Sequence, residues 1–456
     1  MTIHQIPQRP RLGVRILMIE LRRSNIVWIV LGLTAIGTVL LVAKHPPFQR
    51  YSGWTSTWAD GAGWLNAASL VLGPLTGATA AWIAGRETRG NLQELLESTS
   101  RPTAQRVLAN WVSVLIGVTG GYLAYALVVA TAIIPGVSNA GSNRWLGDWL
   151  LIGLGWVVCA GLGYAAGRLV AGRLVAPMVG LGLYGASAAP AYFNAQWVQL
   201  APVAHLPSAG GRRLIEWVVP VASLWLLALV GVTLLLSIPG KRRWSILPAI
   251  AAIVLAVPLV NMDTSPNDYL GASWSEIDPS ASRLVCTTDQ GVTVCVYANH
   301  SELLPDVAAV AKEMLTGPLG RSHFDSAVES RYGIPVPVNA VALPDLAGHF
   351  RTFRSGLADP ALIREITAAN LSLPRCADET SINAFYSNNA ALLSYAVAAA
   401  LIGGSSLPPS PDPSSAGALL DRLRSAPSAS QNWVADYLDA SNQCDVPALA
   451  RIGQRP

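Results

Sequence analysis

Long unbroken apolar runs, separated by short polar stretches, dominate the chain from Ile26 to Met262. A helix needs roughly 17–25 mostly apolar residues to cross the hydrocarbon core of a bilayer. Seven segments satisfy that pattern: 26–43, 67–85, 108–134, 149–167, 174–192, 216–237 and 245–262. Pro74, Pro177 and Pro220 fall inside them, which is compatible with helix because neighbouring helices re-satisfy the freed backbone groups. The weakest helical pattern is 174–192, which holds Gly180, Gly182, Gly185 and Pro190. From Asp263 onward, polar and apolar positions intermix as in a water-soluble domain. There Leu284–Cys286 and Val292–Tyr297 read as strands flanking a turn at Asp289–Gly291. Segments 302–315, 360–371, 379–402, 416–424 and 430–440 read as helices, with Ala390–Gly403 too short to span and suited to a core. Ser405–Ala416 reads as a Pro/Ser-rich exposed loop. The pattern predicts an α-helical polytopic membrane protein with a C-terminal soluble domain over 263–456, mixed α/β and mainly helical.

Composition sharpens this division. Only 13% of the chain is charged and 52% is hydrophobic, against about 25% charged in an average soluble protein. The formal net charge of +4 is no nucleic-acid footprint, because most Arg and Lys of the first half lie in short loops beside apolar spans. The first apolar run is too long for a removable signal and lacks a small-residue cleavage pattern, so it is expected to stay as a span. Frequent Ala, Gly, Pro and Arg with little Lys point to a GC-rich bacterial source, and hence to a bacterial cell membrane.

Loop cations accumulate on the cytoplasmic side of a membrane. With the N-terminus inside, the inner segments hold Arg9, Arg11, Arg15, Arg22, Arg23, Arg86, Arg89, Arg101, Arg106, Arg168, Arg173, Lys241, Arg242 and Arg243. The short outer loops hold only Lys44, Arg50, Arg144, Arg212 and Arg213. Trp54, Trp58, Trp64, Trp145, Trp149 and Trp217 gather on the proposed outer side, as an interfacial aromatic belt does. Seven spans that start inside end outside, so residues 263–456 are expected to be extracytoplasmic.

Cysteine placement bears on the same question. Cys159 lies in a span, whereas Cys286, Cys295, Cys376 and Cys444 all lie in the terminal domain. An even set fits two disulfides outside the reducing cytoplasm, the alternative being four free buried thiols. The hairpin pattern favours Cys286–Cys295, which leaves Cys376–Cys444 to close a long loop. No CxxC spacing or His pair accompanies them, which argues against zinc.

The inner loop after the second span carries the most specific motif. Leu92, Leu95 and Leu96 recur at helical spacing with Glu94 and Glu97 beside them, and Ser98–Pro102 breaks the pattern. This predicts a compact amphipathic element, the alternative being an ordinary charged inner loop. The segment resembles the transmembrane subunits of ABC-2 type transporters, in which an Arg-Glu…Gly-(Thr)-(Leu)-Glu-x-Leu-Leu stretch, then a Pro/Ser/Arg turn and a Lys, follows the second span. The matching positions are Arg86, Glu87, Gly90, Leu92, Glu94, Leu95 and Leu96, with Arg101 and Arg106 in the basic stretch beyond. Ser100 stands where the family usually has proline, and Asn110 where it often has lysine. The resemblance covers roughly the first 240 residues and implies a six-span core over 26–240. It also implies a coupling helix at these positions that docks on a separate ATP-hydrolysing subunit. ATP and Mg would then be bound by two copies of that ATPase, and a second membrane subunit, identical or related, would complete the complex in the lipid bilayer. The resemblance leaves 245–262 as a seventh helix that delivers the terminal domain outside. Residues 1–25 fit an interfacial helix, with Arg11, Arg15 and Arg22 within about 40° of one another at about 100° per residue, or a cytoplasmic extension of the first span.

What is missing narrows the function further. No GxxxxGK[ST] phosphate loop occurs, so this chain is expected to bind no cofactor and to catalyse nothing itself. The spans hold almost no ionisable residue, which argues against proton coupling and suits a hydrophobic or amphipathic cargo for export. Asp148 and Glu216 at outer span ends read as solvated interface charges. In the terminal domain His300, His323 and His349 show no site spacing, and Asn299–Glu302 reads as a surface loop. No HExxH or GxSxG is present. The competing function is a membrane-anchored sensor or assembly factor whose outer domain binds a partner.

Overall fold

The computed structural model describes residues 26–42, 58–90, 102–134, 144–170, 172–193, 200–203, 212–260, 275–316, 326–329, 340–343 and 427–453, with single positions at 19, 21 and 337. These described residues divide into two compact units, a helical one that ends at Asp278 and a terminal one that starts at Pro279. Among the described residues, the helical unit contains α1 (Ile26–Val42), α2 (Trp58–Ala84), the short α3 (Arg86–Arg89), α4 (Thr103–Ile133), α5 (Trp145–Leu169), α6 (Val175–Phe193), α7 (Val218–Ser237) and α8 (Ile246–Val260). Among the described residues, five stretches are long and apolar enough to cross a membrane: Gly61–Ala84, Thr103–Ile133, Trp145–Leu169, Val218–Ser237 and Arg242–Val260. Ile26–Leu41 and Val175–Ala189 are apolar but shorter. An apolar helix therefore overlaps each of the seven predicted segments, with α2, α4 and α5 starting four to nine residues earlier than predicted. The glycine-rich 174–192 is among them, with Gly182 and Gly185 facing open space.

The helices pair through small residues. A lipid surround gives helices no hydrophobic reason to associate, so close backbone packing must supply the attraction. Along α2, Gly73, Gly77, Ala81 and Gly85 recur every four residues, and along α5 so do Gly155, Cys159, Gly163 and Gly167. These two rows face each other. A methyl group on Gly163 would lie 1.9 Å from Gly77 O, and one on Gly167 would lie 2.3 Å from Ala81 O. Only hydrogen fits there, and Cα–H···O contacts of this kind recur at tight helix crossings. Trp156 locks the same interface from the side, its Nε1–H donating to Ser69 Oγ at 2.7 Å.

Contacts at the helix ends show that the chain runs back and forth. At one end Trp58 stacks on Trp145 with centroids 4.8 Å apart, and Trp149 Nε1–H donates to Trp58 O at 3.2 Å. Arg144 pairs with Glu216 at that end too, just before α7. Strand β1 (Arg212–Leu214) pairs antiparallel with β2 (Ser275–Ile277) beyond α8, and Arg213 meets Glu276 at 2.7 Å. At the other end Gly85 packs on Gly167, and Tyr164 donates from the end of α5 to Val107 O at 3.1 Å. Helix α1 lies along α4 in the same direction, with Ile26 near Gly117, Leu33 against Gly121 and Gly37 against Tyr125. The β1–β2 pairing carries the helical unit past the predicted boundary at 263.

The terminal unit contains a four-stranded sheet in the order β3 (Leu284–Asp289), β4 (Val292–Tyr297), β5 (Ser326–Glu329), β6 (Ala340–Leu343). Strands β3 and β4 form an antiparallel hairpin, and β5 and β6 add in parallel. The hairpin turn is Gln290-Gly291 with φ of 50° and 84°, the doubly positive geometry that matches strand twist in a two-residue loop. Cys286 and Cys295 are directly opposed in register and form the expected disulfide. Cys444 is also disulfide-bonded, while Cys376 and the predicted helices 360–371, 379–402 and 416–424 lie outside the described residues. Helix α9 (Leu304–Thr316) follows β4 through a 3-10 turn, Ala298–Leu303, and packs on the hairpin. Helices α10 (Pro427–Asn442) and α11 (Val446–Gly453) pack together near the C-terminus, where Trp433 Nε1–H donates to Ile452 O at 3.1 Å.

The backbone contact at Gly163 makes a sharp prediction. Gly163→Ala should destabilise the detergent-solubilised protein by about 3 kcal/mol, the upper range for overpacking. Gly182→Ala, with open space around it, should leave thermal unfolding unchanged.

Candidate functional site

The motif that follows the second span forms a tight structure where α2 ends. Gly85 interrupts the helix with its N–H still donating to Ala81 O at 3.0 Å, and α3 continues for one turn from Arg86 to Arg89. Arg89 N–H bonds to Gly85 O at 3.0 Å, and Gly90 N–H to Arg86 O at 3.1 Å. A side chain at Gly85 would collide with Arg89 and crowd Gly167 O. The turn therefore sits directly on the C-terminal end of α5.

Two cations hold it there in different ways. Arg168 Nη1 meets Glu87 Oε2 at 2.6 Å, and both side chains are largely enclosed. Arg89 folds back along α2, its guanidinium carbon 4.1 Å from the Trp82 ring centroid and its Nη2 donating to Trp82 O. Such stacking over an indole face contributes up to about 1 kcal/mol when exposed. Glu87 thus spends its carboxylate within the chain, on α5. Leu92, Glu94, Leu95, Leu96, Glu97 and Arg101 lie outside the described residues. Arg106 is on the first turns of α4, near Thr103. Of the predicted set, the structure brings Arg86, Glu87 and Gly90 together in one turn and adds Arg168, which motif spacing had not linked to them.

A second feature escaped the sequence reading altogether. Ala201, Pro202 and Val203, between α6 and α7, are buried and non-helical. Pro202 O sits 2.1 Å from where a Gly155 methyl would be, and Val203 packs on Gly73 and Gly155. Gly155 lies ten residues beyond Trp145 along α5, about 15 Å below the tryptophan stack at 1.5 Å per residue. The segment therefore dips into the helix bundle. Irregular backbone at that depth is tolerated only when it is buried in protein or lines a cavity.

Two polar expectations are corrected. Asp148 is not a solvated interface charge: it is 7% exposed, and its Oδ1 has no hydrogen-bond partner. The reason is that α7 packs over this turn of α5, with Val219 against Gly147. Glu216 is exposed, as expected, but is paired with Arg144. In the terminal unit Asn299–Glu302 is no surface loop. Asn299 and His300 are fully buried, and His300 Nδ1 lies 2.7 Å from Glu329 Oε1. Glu329 Oε2 accepts the Tyr297 N–H at 2.8 Å. One carboxylate from the end of β5 thus satisfies the end of β4 and the imidazole beyond it. No group of three or more metal-ligating side chains occurs among the described residues.

No family model matches the chain, and no curated protein and no solved structure matches it either.

The Glu87–Arg168 pair is testable by exchange. Glu87→Arg and Arg168→Glu should each destabilise the helical unit, and the double swap should recover about 1 kcal/mol in a thermal double-mutant cycle.

Proposed function

We propose that this chain is the membrane-spanning subunit of an ATP-driven transporter of the ABC-2 type, coupled to a separate ATPase through the segment that follows α2. The observation that carries this reading is the 85–90 turn. It is a short charged helix bonded to itself and fixed to α5 by the Glu87–Arg168 pair and the Gly85–Gly167 contact. Displacement of the following residues would therefore move the α2–α5 pair as a unit, which is what coupling to a closing ATPase dimer requires. Because Glu87 is engaged internally, Leu92, Glu94, Leu95 and Leu96 are the side chains left to meet the ATPase.

The buried segment 201–203 favours a transport role over simple anchoring. A scaffold gains nothing from irregular backbone at membrane depth, whereas a transport pathway is where such backbone is found. The helical faces are lined by Leu, Val, Ala, Gly and Trp, which suits a hydrophobic or amphipathic cargo moved outward. In this reading the end that carries α3 is cytoplasmic, seven helices cross the membrane, and the terminal unit lies outside, where its disulfides persist. A second membrane subunit, a copy or a relative, completes the pathway.

Affinity purification of the full chain from its native cells should bring with it Mg-dependent ATP hydrolysis. Glu94→Lys combined with Leu95→Ala should lower that activity by about tenfold or more, the cost of losing an interface anchor, without changing thermal unfolding of the chain. ATP turnover indifferent to both substitutions would remove the coupling role.

A further inference from the structure

The turn between α7 and α8 combines three features that the coupling reading does not use. Lys241, Arg242, Arg243 and Trp244 are consecutive and all exposed. The backbone beneath them is fixed: Lys241 N–H bonds to Ile238 O at 3.1 Å, Trp244 N–H to Lys241 O at 2.9 Å, and Ser245 Oγ–H to Arg242 O at 2.6 Å. Gly240, at φ +79°, turns the chain into this arrangement with no neighbour that a side chain would strike. The three cations are therefore presented from a rigid corner, not from a floppy loop.

Directly below that corner the two helices are the least enclosed of the five long spans. Only about 17% of the Arg242–Val260 stretch and 28% of Val218–Ser237 is buried. Ile246, Leu247, Ile250 and Ile253 form a continuous exposed apolar strip on α8, starting one turn from Arg243. Trp244, 53% exposed, stands between strip and cations with the Arg243 guanidinium carbon 5.9 Å from its ring centroid. Indole rings settle at the headgroup level of a bilayer. The order cation, indole, aliphatic strip thus reproduces the order phosphate, glycerol, acyl chain.

We propose that the Lys241–Trp244 corner and the exposed face of α8 form a docking site for an anionic phospholipid of the adjoining leaflet. Arg242 and Arg243 take the headgroup phosphate, with guanidinium geometry suited to two oxygens at once. Lys241 supplies the further positive charge that separates a net anionic lipid from a zwitterionic one. One acyl chain lies along Ile246, Leu247, Ile250 and Ile253. This site concerns the periphery of the helical unit and stands whether or not the chain couples to an ATPase.

The test is native mass spectrometry of the full chain released from nanodiscs that contain phosphatidylcholine and phosphatidylglycerol in equal amounts. The retained lipid should favour phosphatidylglycerol by about tenfold or more, as expected from several basic residues near an anionic surface. Arg242→Gln and Arg243→Gln should each cut that preference severalfold, and Trp244→Ala should reduce total retained lipid. If a variant fails to fold, raising the salt concentration on the native chain should lower the phosphatidylglycerol preference in the same way. An equal ratio of the two lipids on the native chain, or a preference untouched by the Gln variants, would overturn the site. The latter result would assign these cations to a protein partner or to topology alone.

Discussion

The close approach of α2 and α5 is the constraint on which the rest of the helical unit depends. Four-residue rows of Gly77, Ala81 and Gly85 on one side and Cys159, Gly163 and Gly167 on the other bring two backbones into direct contact. In lipid that contact supplies the dispersion and weak Cα–H···O attraction that apolar side chains cannot. It also fixes register. Once Gly163 lies on Gly77, Gly167 must lie on Ala81 and Gly85 must reach the last turn of α5. Arg168 is then opposite Glu87, and at the far end Trp58 meets Trp145 and Trp149. Both ends of the unit are thus consequences of one seam.

The seam also holds the charged turn firmly, as the coupling role proposed for it requires. A loop held only by surface ion pairs would move independently, since such pairs contribute little. Here the turn begins at a glycine that is itself part of the helix contact, so its position is set by packing and its orientation by Glu87 and Arg89. The buried 201–203 segment uses the same device at mid-depth, where Gly155 and Gly73 leave room for Pro202 and Val203. Small residues thus place two helices, a turn and an irregular segment around one axis.

Much of this was legible in the sequence, and the parts that were not share a cause. The apolar runs announced their helices because length and composition alone decide the matter in a membrane. The β3–β4 hairpin and its disulfide were readable because turn and pairing lie within nine residues. The glycines of α2 and α5 carry no message in the sequence by themselves, since a spacing of four has meaning only once its partner helix is known. Leu200–Val203 gives no signal in the sequence, because four apolar residues in a loop have no periodicity to interpret. Asp148 looks solvated from the sequence because its place near a span end says nothing of α7 packing over it. His300 and Glu329 are far apart in the chain and meet only through the parallel register of β4 and β5.

The proposed topology puts the turn after α2 in the compartment that holds ATP and residues 263–456 across the membrane from it. Labelling of single introduced cysteines with a membrane-impermeant maleimide in intact cells tests it most directly. Cysteine at Ser410 should label from outside, and cysteine at Gln105, at the start of α4, should label only after the cells are opened. Labelling of both positions from the same side would contradict the account.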